Sequence, residues 1–384
     1  MRLLRVRAEG LALYKEPFDV SIFAQQRIQT GHLNALHNLF GNIYVNTANA
    51  FIGINASGKT TALRVISFAS QLLCASPLTA SPFYRILKND QVAKFDIDFF
   101  VCNKIWHLQS EVIRKRKDDG KYSIEILSER LWSKNISSKI NKRNLLDYEN
   151  RPPVRIRDDS DEYLSDDVSI MIAINKQIHE SDMYIDLSQL TDINRFKFDI
   201  DSVPTEIISI LDPTIEYIVL DRNNTNLLIR LKFYGEDEKV LIDPNELNAY
   251  LSSGTIKGVR VFLHAASVLK GGGYLVVDEI ENHFNRELVA TLIRLFMDKR
   301  TNPKGAVIIF STHYPELLDE LERNDEVFIT RSDNGLKVDN LNKLLNRNDM
   351  KRSEIYQSDF IRGTAPKYTA LLALQKSLMK NMED

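Results

Sequence analysis

The chain has 384 residues, of which 43% are hydrophobic and 27% are charged, and its formal net charge is -2. This composition is that of a globular protein with a large core and excludes a disordered chain, while the length allows two or three domains. A net charge near zero gives no overall attraction to nucleic acid or membrane, so binding of that kind would need a local patch of charge.

The first predicted elements lead to a phosphate-binding loop. A strand is predicted at 1–7, and the apolar run at 50–52 predicts a buried strand directly before Gly53. Residues 53–60, GINASGKT, match the pattern G-x-x-x-x-G-K-[ST], and residues 61–66 are typical of the first turns of a helix. The motif therefore lies between a strand and a helix, which is the context that this type of loop requires.

Each part of this loop has an expected chemical role. Gly53 and Gly58 allow backbone conformations in which successive N–H groups surround a phosphate at a helix N-terminus. The Lys59 ammonium would reach the β- and γ-phosphates, the Thr60 hydroxyl would help to hold Mg²⁺, and Thr61 would bond the α-phosphate. We therefore expect bound ATP and Mg²⁺, with nucleotide contacts from Gly53, Asn55, Ala56, Ser57, Gly58, Lys59, Thr60 and Thr61.

A strand-rich region and then a charged segment are predicted after this helix. Alternating residues at 95–101 and apolar residues at 105–113 and 122–127 predict an antiparallel sheet. Residues 130–157 contain eight basic and two acidic residues, whereas 158–167 contains six acids and no base. Two interpretations stay open: a solvated insertion whose halves partly neutralise each other, or an arm that binds nucleic acid or a partner.

Two later apolar strands end in polar residues. The strand at 274–277 is followed by Asp278 and Glu279, the pattern often called Walker B. Asp278 would bind Mg²⁺ together with Thr60, and Glu279 would polarise the water that attacks the γ-phosphate. A second strand from 306 ends in Ser-Thr-His, where His313 would act as a γ-phosphate sensor. The predicted catalytic residues are therefore Glu279 and His313.

The stretch LSSGT at 251–255 precedes these strands at the predicted start of a helix. Serine and glycine at a helix N-terminus suit contact with a phosphate. A simple N-cap at Ser252 would also explain such a sequence, although not its position ahead of Asp278. We expect Ser252, Ser253 and Gly254 to contact nucleotide.

The order of these motifs resembles the ABC-class ATPase heads of the SMC-like group. The stretch at 251–255 is similar to their signature, L-S-G-G-Q, with Ser253 replacing the first glycine and Thr255 replacing glutamine. More narrowly, the chain is similar to the bacterial AAA-15/AAA-21 family of stand-alone ATPases, whose relatives include OLD proteins and ATPase subunits of anti-phage systems. Residues 278–284 are close to that family's D-E-x-E-x-x-L-H stretch, although Asn285 stands where its histidine usually falls.

The resemblance implies an α/β fold. It would be an ABC-type P-loop ATPase head, with a mixed sheet, flanking helices and an antiparallel β subdomain, interrupted by a partly helical middle region. The implied divisions are 1–129 for the N-terminal part of the head, 130–200 for the insertion, 201–330 for the C-terminal part and 331–384 for an extension. A further helix is predicted at 368–379 within that extension.

The resemblance also implies how ATP would act. In that class, the signature of one subunit covers the nucleotide held by another, so ATP would join heads into a homodimer or larger homo-oligomer and hydrolysis would reopen it. The leading hypothesis is a switch that senses a trigger and controls a separate effector, such as a nuclease, in phage defence. The alternatives are a DNA-maintenance ATPase that holds DNA through 130–157, and a slow ATPase that acts as a scaffold. A transporter ATPase fits poorly, because of the acidic segment and the long insertion.

The sequence also predicts a cytoplasmic location without a membrane partner. No run approaches the ~18 apolar residues needed to span a bilayer. The charged N-terminus lacks the apolar core of a secretory signal. The two cysteines, Cys74 and Cys102, lack metal-ligand spacing, which favours ordinary thiols in a reducing compartment.

Overall fold

A computed structural model describes residues 1–29, 31, 33–117, 120–157, 164–176, 184–187, 201–223, 226–242, 246–282, 285–345, 350–358, 361, 363, 372–373 and 375–379. The strands are β1 (Arg2–Glu9), β2 (Phe18–Ser21), β3 (Leu36–Phe40), β4 (Ile43–Asn46), β5 (Ala48–Ile52), β6 (Val92–Val101), β7 (Lys104–Arg116), β8 (Tyr122–Asn135), β9 (Arg155–Ile156), β10 (Tyr184–Asp186), β11 (Ile215–Asn223), β12 (Asn226–Phe233), β13 (Lys239–Leu241), β14 (Tyr274–Val277), β15 (Val307–Thr312), β16 (Val327–Ser332) and β17 (Leu336–Asn340). The helices are α1 (Lys59–Cys74), α2 (Met171–Asn175), α3 (Thr205–Leu211), α4 (Leu247–Tyr250), α5 (Ser253–Gly271), α6 (Arg286–Met297), α7 (Leu341–Leu344) and α8 (Arg352–Gln357). Short 3-10 turns cover Leu78–Ala80, Tyr84–Ile86, Pro315–Glu320 and Asn324–Glu326.

The central sheet has the strand order β10-β14-β15-β5-β16-β17. Its strands are parallel except β17, which runs antiparallel to β16. β5, β14 and β15 are buried along their whole length, as expected for strands that are covered on both faces. Because parallel strands end at the same edge, the residues that follow β5, β14 and β15 meet there.

Helices cover both faces of this sheet because alternate strand residues point in opposite directions. α1 packs on the face formed by Phe51, Val276 and Ile309. α5 and α6 pack on the opposite face, against residues such as Ile52 and Phe310. In the described ranges, no helix is both long and apolar enough to cross a membrane.

An antiparallel sheet with the order β2-β1-β6-β7-β8-β9 packs on the outer side of α1. The rings of Phe68 on α1 and Phe95 on β6 lie 5.1 Å apart. A smaller antiparallel sheet, β11-β12-β13, shares a core with α5 through residues such as Ile218 and Val259. The predicted α/β fold, with a mixed sheet, flanking helices and an antiparallel β subdomain, is confirmed.

The predicted insertion at 130–200 contributes to the two large sheets. β8 continues to Asn135 across the predicted boundary at 129. β10 pairs with β14 at the edge of the central sheet, and α2 packs against α1. The division into four parts stays a prediction. The acids at 158–163, His283, Phe284, and residues 368–371 and 374 of the helix predicted at 368–379 lie outside the described residues.

Candidate nucleotide site

The loop between β5 and α1 needs glycine at two positions. A Cβ on Gly53 would lie 2.2 Å from Ser57 Oγ and 2.3 Å from Thr330 Oγ1, which is too close for any side chain. Gly58 caps α1 with a φ of +98°, and a Cβ there would lie 2.7 Å from a methyl carbon of Leu336. The glycines therefore let the loop pack closely against β16 and β17.

Lys59 begins α1 and is only 5% exposed. Its Nζ donates to the carbonyl oxygens of Gly53 at 2.9 Å and Ile54 at 3.3 Å, and lies 3.3 Å from His313 Nδ1. Burial lowers the pKa of Lys59, while the nearby carboxylates, Glu279 first among them, oppose this shift. The ammonium is therefore held at the base of the loop among acidic groups.

Thr60 and Asp278, the predicted Mg²⁺ ligands, are adjacent although they are distant in the sequence. Thr60 Oγ1 donates to Asp278 Oδ2 at 2.6 Å, and Ser311 Oγ donates to Asp278 Oδ1. Asp278 directly follows β14, and Ser311 lies near the end of β15, so the parallel strands bring these groups together. A hydroxyl and a carboxylate are hard oxygen ligands, which suit Mg²⁺.

Glu279 and His313, the predicted catalytic pair, lie beside this group. Glu279 has a φ of +46°, a conformation that costs free energy for a residue other than glycine and that is concentrated at functional sites. Its N–H donates to Ser311 Oγ at 2.7 Å, and its carboxylate accepts a hydrogen bond from Asn282 Nδ2. Glu279 Oε1 lies 3.5 Å from His313 Nε2. The imidazole thus lies between Lys59 and Glu279.

The other loop residues predicted to bind nucleotide have varied surroundings. Asn55 and Ala56 are exposed at the tip of the loop, and Ala56 has a φ of +60°. Ser57 is buried, and its Oγ lies 2.7 Å from Thr330 Oγ1. Thr61 is half-buried in the first turn of α1. Their predicted contacts with nucleotide stay predictions.

The structure does not bring the stretch at 251–255 into this site. Ser252 caps α5, since its Oγ accepts a hydrogen bond from Thr255 N at 3.0 Å. Over the described part of the chain, no hydrogen bond or ion pair joins Ser252, Ser253 or Gly254 to the phosphate-binding loop. The stretch forms the start of a 19-residue helix, as the sequence indicates, and within one chain Ser252 acts as its N-cap.

Three further residues complete the site and were not predicted from the sequence: Glu281, Ser311 and Thr330. Ser311 could have been predicted, because it belongs to the Ser-Thr-His triplet at the end of β15. Glu281 had a weak signal, as the second glutamate of the DEIE stretch. No sequence signal indicated Thr330, because its hydrogen bond with Ser57 exists only once β16 pairs with β5.

A family model for AAA_21, described as "AAA domain, putative AbiEii toxin, Type IV TA system", matches residues 48–319. The matched span begins with β5 and ends in the turn Pro315–Glu320, so it contains the residues assembled above except Thr330 and Leu336. The match supports a nucleotide-binding ATPase. No curated protein matches the chain.

Proposed function

The chain belongs to the AAA_21 family of AAA domains, and from this premise we propose that it is an ATP-hydrolysing switch that controls a partner effector protein. The observation that carries the proposal is the meeting of Lys59, Asp278 and His313 at one edge of the central sheet. They come from three separate segments, each of which follows a parallel strand. This arrangement supports a site for Mg-ATP.

The chemistry is divided among these residues. Mg²⁺, when bound by Thr60 and Asp278, would neutralise phosphate charge. Lys59 and the loop N–H groups would bind the β- and γ-phosphates. Glu279 would accept a proton from water while the water oxygen bonds to the γ-phosphorus and the bond to the ADP oxygen breaks. His313 would hydrogen-bond the γ-phosphate.

We propose that the start of α5 acts on a second copy of the chain. The N-terminus of a helix attracts anions, and Ser252, Ser253 and Gly254 form the start of a long helix. Because these residues form no described hydrogen bond or ion pair with the loop of their own chain, they would cover the nucleotide bound by a partner. ATP would then close a homodimer or larger homo-oligomer, and hydrolysis would open it.

The effector is proposed to be a separate protein, such as a nuclease. The family description names a toxin of a toxin–antitoxin system, which supports a role in defence. Isolation of the chain from its native host, followed by mass spectrometry of what copurifies in the presence of ATP, would identify the effector. Recovery of the chain alone under both nucleotide conditions would contradict effector control.

Two measurements test the switch itself. We expect Mg²⁺-dependent phosphate release, and a particle mass in light scattering that at least doubles with Mg-ATP. Lys59→Ala, purified in the same way, is the control for contaminating ATPases. A constant mass would contradict the ATP-closed assembly, and a doubled mass without turnover would favour the scaffold alternative.

One observation favours a second candidate function, binding of nucleic acid by the basic segment. A groove of about 890 Å³ lies between the β3–β4 turn and residues 136–143. Its described lining includes Phe40, Lys142 and Arg143 and contains no carboxylate. A groove that combines an aromatic ring with basic side chains suits single-stranded nucleic acid. Salt-dependent binding of a labelled oligonucleotide would support this function, and no binding at low salt would exclude it.

A further inference from the structure

Glu281 is a buried carboxylate that the proposed chemistry does not use. The chain turns back after β14, with Glu279 at positive φ and Ile280 N donating to Ser311 O at 3.0 Å. This turn directs Glu281 into the protein, where it is 7% exposed. Its Oε2 is buried and has no hydrogen-bond partner among the described residues. Burial of a carboxylate is costly, so the place of Glu281 requires an explanation.

The contact made by the other carboxylate oxygen of Glu281, Oε1, explains why this side chain is buried. Glu281 Oε1 accepts a hydrogen bond from the backbone N–H of His313 at 2.5 Å. His313 follows the last paired residue of β15, Thr312, so the acceptor for this N–H is a side chain and not a neighbouring strand. Hydrogen bonds from N–H groups to carboxylates are among the stronger ones in proteins. It ties the end of β15 to the turn that carries Asp278 and Glu279.

The position of the imidazole depends on this tie. His313 Nδ1 lies 3.3 Å from Lys59 Nζ, and Nε2 lies 3.5 Å from Glu279 Oε1. Both distances are at the outer limit of a polar contact, so a small movement of the main chain would break one of them. We infer that Glu281 is a positioning residue, which holds the His313 ring between Lys59 and Glu279. The inference rests on the proposed hydrolysis of ATP at this site.

Steady-state kinetics of two variants test the inference. Glu281→Met keeps the length of the side chain but removes the acceptor, and should lower kcat by about 10- to 100-fold, the range for loss of a hydrogen bond to a charged group. KM for ATP should change by less than about threefold, because Lys59 and Thr60 still bind the phosphates. Glu281→Gln keeps an acceptor and should restore most of kcat. Equal losses in both variants, or no loss in Glu281→Met, would overturn the inference.

A double-variant cycle shows whether Glu281 acts through His313. In a His313→Ala background, Glu281→Met should cause no further loss of kcat, because the ring that it positions is gone. A full additional loss would assign Glu281 an independent role and overturn the inference. Glu129→Met is the matched control: Glu129 is likewise a buried carboxylate that accepts a backbone N–H, from Ile170 at 2.8 Å, but it lies on β8 in the large antiparallel sheet. It should lower stability without changing kcat of the folded protein.

A spectroscopic measurement separates failure of this inference from failure of the proposed function. If the parent chain shows no turnover, hydrolysis is wrong, but the ring position can still be read by NMR of ¹³C-labelled histidine. The His313 resonance, assigned by its loss in His313→Ala, should shift in Glu281→Met and return toward the parent position in Glu281→Gln. An unchanged resonance in Glu281→Met would contradict the positioning role directly.

Discussion

The nucleotide site and the basic segment at 130–157 both contain many charged residues, but the charged side chains contact different kinds of partner in the two regions. At the nucleotide site, Lys59 and Asp278 come from opposite halves of the chain and lie among the same small group of polar side chains. In the basic segment, Lys134 donates to the carbonyl oxygens of Asn144 and Asp147, and Arg157 lies 3.4 Å from Glu129. Those charges stabilise local structure.

This difference shows what distinguishes a candidate site from a charged surface. Residues that are remote in sequence come together only where the fold places them side by side. Here the residues after β5, β14 and β15 come together because these parallel strands end at the same edge of the sheet. The contacts of Lys134 all lie within its own segment, so they require no meeting of residues from distant parts of the chain. Within the basic segment, Lys139, Arg143 and Arg151 are exposed to solvent. Substitutions in the two regions should therefore differ sharply in effect.

The largest effect is expected from Lys59→Ala. Lys59 would contact two phosphates, and hydrogen bonds to charged groups contribute about 1.5–3 kcal/mol each, so Kd for ATP should rise at least ~100-fold. Lys139→Ala, which removes an exposed lysine of the basic segment, is the matched control and should leave Kd unchanged. Isothermal titration calorimetry measures both. Unchanged ATP binding in Lys59→Ala would refute the site.

The next effect is on turnover. Glu279→Gln keeps the shape of the side chain but removes the carboxylate that accepts the proton, so turnover should fall by ~10²-fold or more while ATP binding survives. The ATP-bound assembly should accumulate, which size-exclusion chromatography with light scattering measures. Glu149→Gln changes an exposed acid of the basic segment in the same way and should have no effect. Turnover at the parent rate would show that Glu279 is not the base.

Some features of the nucleotide site and of the central sheet can be predicted from the sequence, and others cannot. Asp278, Glu279 and His313 could be placed beforehand because each follows a continuous apolar run, and such runs form buried parallel strands. β10 could not be predicted, because three residues are too few to show a periodic pattern of apolar residues. It nevertheless forms the edge strand of the central sheet. The burial of Glu281 follows from the positive φ at Glu279, and a glutamate in the sequence gives no indication that its φ will be positive.

An effect on assembly is expected from Ser252→Arg. Both Ser252→Arg and Ser252→Ala remove the cap of α5, which costs about 0.5–2 kcal/mol of stability. Only arginine would obstruct a second chain, so only Ser252→Arg should abolish turnover, with ATP binding by the monomer intact. Equal turnover in the two variants would assign Ser252 a purely structural role.

Mixing two inactive variants tests whether Ser252 acts across the interface. A dimer of one Lys59→Ala chain and one Ser252→Arg chain has one site in which the loop and the helix start are both intact. The mixture should therefore recover turnover that neither variant shows alone, if the sites are independent. No recovery would contradict the shared site.

The smallest effect on ATP chemistry is expected in the basic segment itself. Lys139 and Arg143 are exposed, whereas Lys142 donates to the carbonyl oxygens of Gln25 and Gln26 at 3.4 and 2.8 Å. Reversal of Lys139 and Arg143 to glutamate should therefore leave basal ATPase unchanged, while reversal of Lys142 would also disturb the local fold. If the segment binds single-stranded nucleic acid, the double reversal should reduce the slope of log K against log salt by about 1.4, because each phosphate that a cation neutralises adds ~0.7 to that slope. Identical binding by variant and parent across the salt titration would favour a solvated insertion, because exposed charges that neutralise no phosphate release no counterions.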